Sequence, residues 1–216
     1  EAVQMKLTFL GLPGAGKGTQ SAIVSEKLGI PTIATGRILR EAISEGTEVG
    51  LEAKTFVESG LLVPDLIIIG ILNERLAKSD CKNGFILDGV PRTVAQAVSL
   101  EADGILLDAV ISLEISDDEI LERMTGRRVC PNCGAVYHLR DNPSKMGHHC
   151  ELCGHILAQR SDDLPETVKV RMEAYHEKTK PLKAFYSQRG LLRQIQANAP
   201  IAEVTKAIGD ALGIKL

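Results

Sequence analysis

A glycine-rich segment with one lysine lies close to the start of the chain, at residues 11–19 (GLPGAGKGT). Its glycines let the backbone turn so that successive N–H groups face one anion, and a helix that begins there adds the positive end of its dipole. A lysine at this spacing reaches the β- and γ-phosphates of a nucleotide. The segment predicts a phosphate-binding loop, here called the P-loop, made by Gly14, Ala15, Gly16, Lys17, Gly18 and Thr19.

The residue after Lys17 bears on how magnesium is held. Phosphate-binding loops usually have Ser or Thr there, and its hydroxyl contacts the Mg²⁺ bound with ATP. This chain has Gly18, so the nearest hydroxyl is displaced to Thr19. We therefore expect Mg²⁺ to be held through water molecules and carboxylates.

Four of the five cysteines form two C-x2-C pairs, Cys130 with Cys133 and Cys150 with Cys153, separated by 16 residues. This spacing is typical of a structural tetrahedral zinc site, and four thiolates leave no open coordination position. Disulfides are the rival interpretation, but they are rare in the cytosol. The sequence predicts structural Zn²⁺, although iron suits the same four thiolates.

The pattern of apolar residues predicts an α/β fold. The predicted strands lie at 5–10, 84–87, 109–115 and 191–195, and the predicted helices at 19–28 and 201–212, with a capping box that starts another helix at Ser116. Strands that alternate with helices predict a parallel sheet with helices on both faces. Two segments interrupt the alternation: 35–63 is helical throughout, and 127–163 is rich in Gly, Pro, Cys and His.

Composition excludes several classes of protein. A net charge of -3 and only 3% aromatic residues disfavour a protein whose main partner is nucleic acid. No apolar run is long enough to span a membrane, and no secretion signal is visible at the start. We expect a cytoplasmic monomer that acts on small molecules.

Several motifs resemble those of the adenylate kinases, within the nucleoside monophosphate kinases, and the resemblance covers nearly the whole chain. The P-loop continues as GKGTQ, and later segments read TGRILR from Thr35, DGVPR from Asp88 and RSDD from Arg160. The resemblance implies reversible transfer of a phosphoryl group from Mg-ATP to AMP, giving two ADP. It also implies a P-loop core (1–34, 64–126 and 164–216), an inserted AMP-binding helical arm (35–63) and a small zinc-binding lid (127–163).

The resemblance implies two sets of nucleotide ligands. Besides the P-loop, ATP would contact Arg123, Arg127, Val136, Tyr137 and His138. AMP would contact Thr35, Arg40, Leu61, Leu62, Val63, Gly89, Arg92, Gln96, Arg160 and Arg171, with Gln96 at the adenine edge.

Together with the P-loop pattern, the resemblance implies that cations and one carboxylate act in catalysis: Lys17, Asp88, Arg92, Arg127, Arg160 and Arg171. Phosphoryl transfer depends on positioning and on electrostatic stabilisation of a charge-spread transition state, which arginine forks suit. The attacking AMP phosphate oxygen is already anionic, so no general base is required. Asp88 lies at a predicted strand end, where it would order the magnesium waters.

Two positions depart from the family pattern on the acceptor side. Arg37 stands where the family has Asp, and Val90 stands where it has Phe. We expect an intact fold and ATP site with weakened or altered handling of AMP.

Two alternatives stay open at this point. One is a kinase for another nucleoside monophosphate, such as UMP, CMP or GMP. The other is an ATP-switched P-loop protein whose zinc module binds nucleic acid or a partner through a basic patch of Arg128, Arg140, Lys145, His148 and His149. A salt-dependent gel shift would reveal the second, and we expect none.

Overall fold

The computed structural model of the protein describes residues 4–216. Its strands are β1 (Met5–Leu10), β2 (Thr32–Ala34), β3 (Gly84–Asp88), β4 (Ala109–Glu114), β5 (Arg127–Val129), β6 (Val136–His138) and β7 (Leu192–Gln196). Its α-helices are α1 (Lys17–Leu28), α2 (Thr35–Glu45), α3 (Glu48–Ser59), α4 (Asp65–Leu76), α5 (Val94–Ala102), α6 (Asp117–Gly126), α7 (Pro165–Ala174), α8 (Pro181–Gln188) and α9 (Ile201–Leu212). A π-helical turn at Tyr175–Thr179 joins α7 to α8.

Five strands form a parallel sheet in the order β2-β3-β1-β4-β7. In its register Phe9 lies opposite Asp88, and Leu10 lies opposite Ser112. The carboxyl ends of β1 and β3 therefore meet at one edge, where the P-loop leaves β1. This arrangement confirms the predicted α/β fold.

Alternate residues of the strands cover both faces of the sheet. On one face Leu7 and Phe9 pack with Val24 of α1 and Ile208 of α9. On the other face, a cluster at β1 and β4 includes Leu182 of α8, and a cluster at β2 and β3 includes residues of α2, α3, α4 and α5. Burial on both faces explains why the strands are nearly continuous apolar runs.

The first interruption of the alternation folds as a pair of tightly packed helices. A Cβ added to Gly50 in α3 would lie 2.1 Å from the carbonyl oxygen of Ala42 in α2, so only glycine fits there. Leu39 of α2 and Ala53 of α3 share an apolar cluster with Leu72 of α4. The helical segment therefore rests on α4, which follows it directly.

The second interruption carries its own small sheet. β5 and β6 pair antiparallel, with Arg128 opposite Tyr137. A small buried cluster of Cys130, Tyr137 and Cys150 lies behind them. Few apolar side chains are buried here, so this segment has little hydrophobic core of its own.

Several boundaries differ from those predicted. α1 begins at Lys17, two residues before the predicted start, because Gly16 adopts a left-handed conformation (φ 96°) and ends the loop there. β7 spans Leu192–Gln196 rather than 191–195, and β4 ends at Glu114. The sequence patterns did not predict β2, α4, α5, β5, α7 or α8. Within residues 4–216, every helix falls short of the length and apolar character needed to span a bilayer.

Candidate active site

The P-loop needs glycine at two of its turns. Gly14 and Gly16 have φ of 79° and 96°, values that favour glycine, and a Cβ on Gly14 would lie 2.7 Å from Sδ of Met124. Gly16 caps α1 without a side chain, so within residues 4–216 the first turn of the helix has no side-chain cap. Gly18 and Thr19 in that first turn are exposed. The loop thus presents backbone donors to an anion.

Lys17 folds back over this loop. Its Nζ donates hydrogen bonds to the carbonyl oxygens of Gly11 and Leu12, each at 2.8 Å. Burial lowers the pKa of Lys17 to about 7, and the carboxylate of Asp88 opposes the shift, while nearby arginines reinforce it. A negatively charged ligand bound beside Lys17 would raise this pKa toward its ordinary value and so favour the charged form of the side chain.

Asp88 ends β3 and faces the start of α1. A Cβ on Gly18 would lie 3.4 Å from Oδ2 of Asp88. The hydroxyl of Thr35 donates to the backbone carbonyl of Asp88 at 3.4 Å. The structure thus places a carboxylate next to Lys17 and the P-loop, at the carboxyl edge of the sheet.

Two of the predicted catalytic arginines are held by a buried acidic pair. Arg127 makes a bidentate contact with Asp163, at 2.8 Å from Nε and 2.5 Å from Nη2. Nη1 of Arg171 lies 3.0 Å from Asp162 and 3.4 Å from Asp163, and Asp163 is fully buried. The bidentate pairing fixes the plane of the Arg127 guanidinium as well as its charge, whereas Arg171 is held through Nη1 alone.

Three other arginines converge on the same place: Arg40, Arg92 and Arg160. Within residues 4–216, none of the three has a carboxylate oxygen within 4.0 Å of its guanidinium. Burial lowers the pKa of Arg40 and of Arg92. It lowers the pKa of Arg160 to about 10, with repulsion from Arg40 and Arg127 adding to the effect. Partly buried cations that repel one another favour an anionic ligand.

Two clefts meet at these cations. The first has a volume of about 580 Å³ and the second about 500 Å³, and both volumes include solvent space at the open side of the cleft. The first is lined by nine of the predicted site residues: Thr35, Arg40, Leu61, Leu62, Val63, Gly89, Arg92, Gln96 and Arg171. Asp162 also lines it, whereas Arg160 lines neither cleft. The second contains Lys17 and shares Arg92 and Arg171 with the first. A ligand in each cleft would have its charged group at the same arginines.

The four paired cysteines come together as predicted. Their ligand atoms lie within 4.8 Å of one another, with Sγ separations such as 3.4 Å from Cys130 to Cys153 and 3.5 Å from Cys133 to Cys150. Four sulfurs at 2.3 Å from one tetrahedral metal would lie about 3.8 Å apart. Gly134 and Gly154, at φ of 76° and 74°, turn the two cysteine loops toward each other. The cluster fits a structural metal such as zinc.

Comparisons with known proteins agree with this geometry. A sequence model of the adenylate kinase family matches residues 9–191. An adenylate kinase of Moorella thermoacetica is 51% identical over 213 residues, covering 97% of this chain and 98% of the relative. Those of Caldicellulosiruptor saccharolyticus (50% over 215 residues; 98% and 100%) and Bacillus pumilus (49% over 213 residues; 97% and 98%) are similar. The chain belongs to the adenylate kinase family.

One residue that the family resemblance assigned to the base is firmly held. Gln96 is 2% exposed and lines the first cleft. Its Oε1 accepts from the backbone N–H of Arg92 at 2.7 Å, and its Nε2 donates to Oδ1 of Asp65 at 2.7 Å. Neither Asp65 nor its contact with Gln96 was predicted, because no local pattern joins residues 31 positions apart.

Lys17 lines the second cleft, but the residues that the adenylate kinase resemblance assigns to ATP beyond the P-loop line neither cleft: Arg123, Arg127, Val136, Tyr137 and His138. Arg123 donates to the carbonyl oxygen of Ala197 at 2.9 Å. In β6, Val136 is exposed, whereas Tyr137 turns inward and its hydroxyl lies 3.5 Å from Sγ of Cys150. His138 packs against Gly126, and its buried Nε2 has no hydrogen-bond partner in residues 4–216.

The two departures from the adenylate kinase pattern have different surroundings. Arg37 has 65% of its side chain exposed, pairs with Glu41 at 3.8 Å and lines neither cleft. Val90 is fully buried, and its carbonyl accepts from the hydroxyl of Thr8 at 2.7 Å. Val90 therefore underlies the loop that carries Arg92, and the expected change in AMP handling stays a prediction.

Proposed function

We propose that the chain catalyses reversible phosphoryl transfer from Mg-ATP to AMP, giving two ADP. The observation that carries this proposal is the junction of two clefts at Arg92 and Arg171, with Lys17 on one side and Arg40 on the other. Membership of the adenylate kinase family supports the same reaction. Neither a different monophosphate acceptor nor a nucleic-acid role for the zinc segment is favoured by a specific observation.

ATP binds, in this proposal, at the P-loop. The backbone donors of Gly14 to Thr19 surround its phosphates, and Lys17 reaches the phosphoryl group that moves. Arg123, in the last turn of α6, faces ATP from the core, and Arg127, at the start of β5, faces it from the segment that carries the cysteines. Val136, Tyr137 and His138 of β6 lie beside the adenosine in this proposal.

AMP binds in the first cleft. Arg40 and Arg92 hold its phosphate, Thr35 and Gly89 lie beside it, and Leu61, Leu62 and Val63 border the base with Gln96. The arginine fork grips two phosphate oxygens at once, which fixes their direction as well as their charge. The acceptor oxygen thereby points toward the second cleft.

Transfer proceeds by attack of an AMP phosphate oxygen on the γ-phosphorus of ATP, and the bond from that phosphorus to the β-phosphate bridging oxygen breaks. The oxygen is already anionic, so no side chain needs to remove a proton. Arg92, Arg160 and Arg171 neutralise charge spread over the moving group, and the acidic pair Asp162 and Asp163 keeps Arg171 and Arg127 aligned.

Two metals accompany this function. Asp88, next to the start of α1, would hold the waters of the Mg²⁺ that enters with ATP, and the ion would neutralise phosphate charge. Cys130, Cys133, Cys150 and Cys153 hold a structural Zn²⁺ that stabilises a segment with little core of its own.

The moving parts follow the segments predicted from sequence. Residues 127–163 act as a lid over ATP and residues 35–63 as the AMP arm, while 1–34, 64–126 and 164–216 form the core. Closure of both would exclude water, which otherwise competes with AMP as acceptor; lid closure in adenylate kinase is a known example of this gating. We further propose that the protein works as a cytoplasmic monomer.

Substitution of the shared arginines tests the proposal. Arg92→Ala and Arg171→Ala should each lower kcat for ADP formation from Mg-ATP and AMP by about a hundredfold or more, since each removes a donor aimed at developing charge. Arg193→Ala is the matched control, because within residues 4–216 the Arg193 side chain hydrogen-bonds only to the carbonyls of Gly190 and Leu192, and it lines neither cleft. Unchanged rates in both cleft variants would refute the assignment.

A further inference from the structure

The side-chain amide of Gln96 is held in one orientation by its neighbours. Its oxygen faces the backbone N–H of Arg92, and its nitrogen faces the carboxylate of Asp65, each at 2.7 Å. The other oxygen of that carboxylate accepts from the hydroxyl of Thr93 at 3.2 Å. Thr93 in turn accepts from the backbone N–H of Gln96 at 3.0 Å. Gln96 and Arg92 line the first cleft, and Asp65 and Thr93 complete the hydrogen-bond network without lining it.

The chemistry of these neighbours decides which way the amide points. A backbone N–H can only donate, and an ionised carboxylate can only accept. Rotating the Gln96 amide by half a turn would place nitrogen against the Arg92 N–H and oxygen against the Asp65 carboxylate. Both contacts would then be repulsive, and a buried amide without partners is costly.

A fixed amide can distinguish two kinds of purine that a rotating amide cannot. The adenine edge presents a donor at the 6-amino group and an acceptor at N1, whereas a 6-oxopurine such as hypoxanthine presents an acceptor and then a donor. After its two existing contacts, Gln96 retains one N–H and one oxygen lone pair for the cleft that it lines. With the amide fixed and the purine in one orientation, this N–H and this oxygen can pair with the acceptor and donor of only one of the two purine edges.

We infer that Asp65 is a specificity-positioning residue: by holding the Gln96 amide, it makes the acceptor cleft select 6-aminopurine over 6-oxopurine monophosphates. The inference rests on the proposed function only in placing a purine monophosphate in this cleft. Asp65 touches no reacting atom and acts through Gln96.

Asp65 also has an ordinary structural role. It lies in the first turn of α4, where a carboxylate interacts favourably with the helix dipole. A purely structural role predicts that its loss lowers stability and weakens all ligands of the cleft equally. The inference predicts instead a change in the ratio between two ligands, so the two roles have separate readouts.

The test is equilibrium binding of AMP and of IMP, measured by titration calorimetry without ATP. IMP differs from AMP at the 6-position and at N1 alone. The parent should bind AMP more tightly than IMP. Asp65→Ala should reduce the ratio of the two affinities by about fivefold or more, since the Gln96 amide then loses the charged partner that fixes its orientation. Asp65→Asn, which keeps the side-chain volume, should reduce it by a smaller factor.

Asp103→Asn is the matched control. Asp103 accepts from the side chain of Asn73 at 3.0 Å and lines neither cleft, so its loss should leave the ratio unchanged. Equal affinity of the parent for AMP and IMP, or no binding of either, would overturn the inference. An unchanged ratio in Asp65→Ala, or in Asp65→Asn if the alanine variant does not fold, would also overturn it.

Binding and turnover separate this inference from the proposed function. If the parent selects AMP and the variant does not, yet no ADP forms from Mg-ATP and AMP, the proposed reaction fails while the role of Asp65 stands. If ADP forms but Asp65→Ala keeps the full selectivity, the reaction stands and the role of Asp65 fails.

Discussion

Lys17 has a charge that depends on what occupies the cleft. In the free protein burial lowers its pKa to about 7, so at pH 8 most of the amine is neutral. Nucleotide phosphates favour the ammonium form and raise this pKa, so binding must take up a proton. We predict proton uptake on ATP binding that is larger at pH 8 than at pH 6, where Lys17 is already charged. Calorimetry in buffers of different ionisation enthalpy measures it.

Two lysine variants make this measurement specific. Lys17→Met should remove the pH-dependent part of the uptake. Lys206→Met should not, because Lys206 is exposed, pairs with Asp210 and has its pKa raised rather than lowered. Equal uptake in the parent and in Lys17→Met would contradict the account of Lys17.

The positions that depart from the family make a second prediction at the scale of single residues. Restoring the family pattern with Arg37→Asp and Val90→Phe together should change KM or kcat for AMP while leaving KM for ATP nearly unchanged. Initial rates at varied AMP and ATP measure both constants. Val90→Phe should contribute most of the change, since the added volume lies beneath the loop of Arg92 and overpacking costs about 1–3 kcal/mol. Unaltered AMP kinetics would contradict the prediction.

Among the elements, the π-helical turn between α7 and α8 has a specific contact with the site. Within it, the hydroxyl of the buried Thr179 donates to the backbone carbonyl of Arg92 at 2.8 Å. We predict that Thr179→Val lowers the free energy of unfolding by about 1–3 kcal/mol, because the carbonyl loses its partner. It should also raise KM for AMP. Denaturant titrations and initial rates test this, and Thr179→Ser should restore both values.

The cysteine segment gives a prediction about metal. The protein should contain one zinc per chain, and chelation should lower the midpoint of thermal unfolding, because metal replaces the missing core. Cys153→Ser should lose the metal. Cys81→Ser is the control, since Cys81 lies in a separate apolar cluster and should leave the zinc content unchanged. Elemental analysis that finds no metal in the parent, or iron instead, would contradict the assignment.

Local patterns predicted those parts of the molecule in which neighbours in sequence make the structure. The P-loop, the strands β1 and β4 and the helix α9 follow from glycine spacing and apolar periodicity, and the C-x2-C pairs come together as their spacing indicated. The start of α1 was placed two residues late, because the left-handed turn at Gly16 is set by the loop as a whole. Short elements such as β2, with three residues, carry too little pattern to be recognised.

At the scale of the whole molecule, the cations that meet at the clefts come from separate parts of the chain. Lys17 starts α1, Arg40 belongs to α2, Arg92 follows β3, and Arg171 belongs to α7. Periodicity and spacing do not predict that these residues converge; only the family resemblance did so. The pairing of Arg127 with Asp163, 36 positions away, and the contact of Gln96 with Asp65 depend on the same tertiary packing.

This convergence predicts that anions stabilise the free protein. Mutual repulsion among the partly buried arginines costs free energy that a bound phosphate recovers. The midpoint of thermal unfolding should therefore rise with AMP or Mg-ATP, and by less with inorganic phosphate. In Arg92→Ala the rise with AMP should shrink, whereas adenosine, which lacks the phosphate, should give little shift in either protein. An AMP shift of equal size in parent and variant would contradict this view of the cleft.

The central claim is the transfer reaction itself, and the most direct measurement is ADP formation from Mg-ATP with AMP, UMP, CMP, GMP and water as parallel acceptors. We predict fast turnover with AMP and far slower turnover with the other four. Preference for another monophosphate would keep the fold and contradict the acceptor assignment. No transfer to any acceptor by a protein that binds ATP would contradict the reaction.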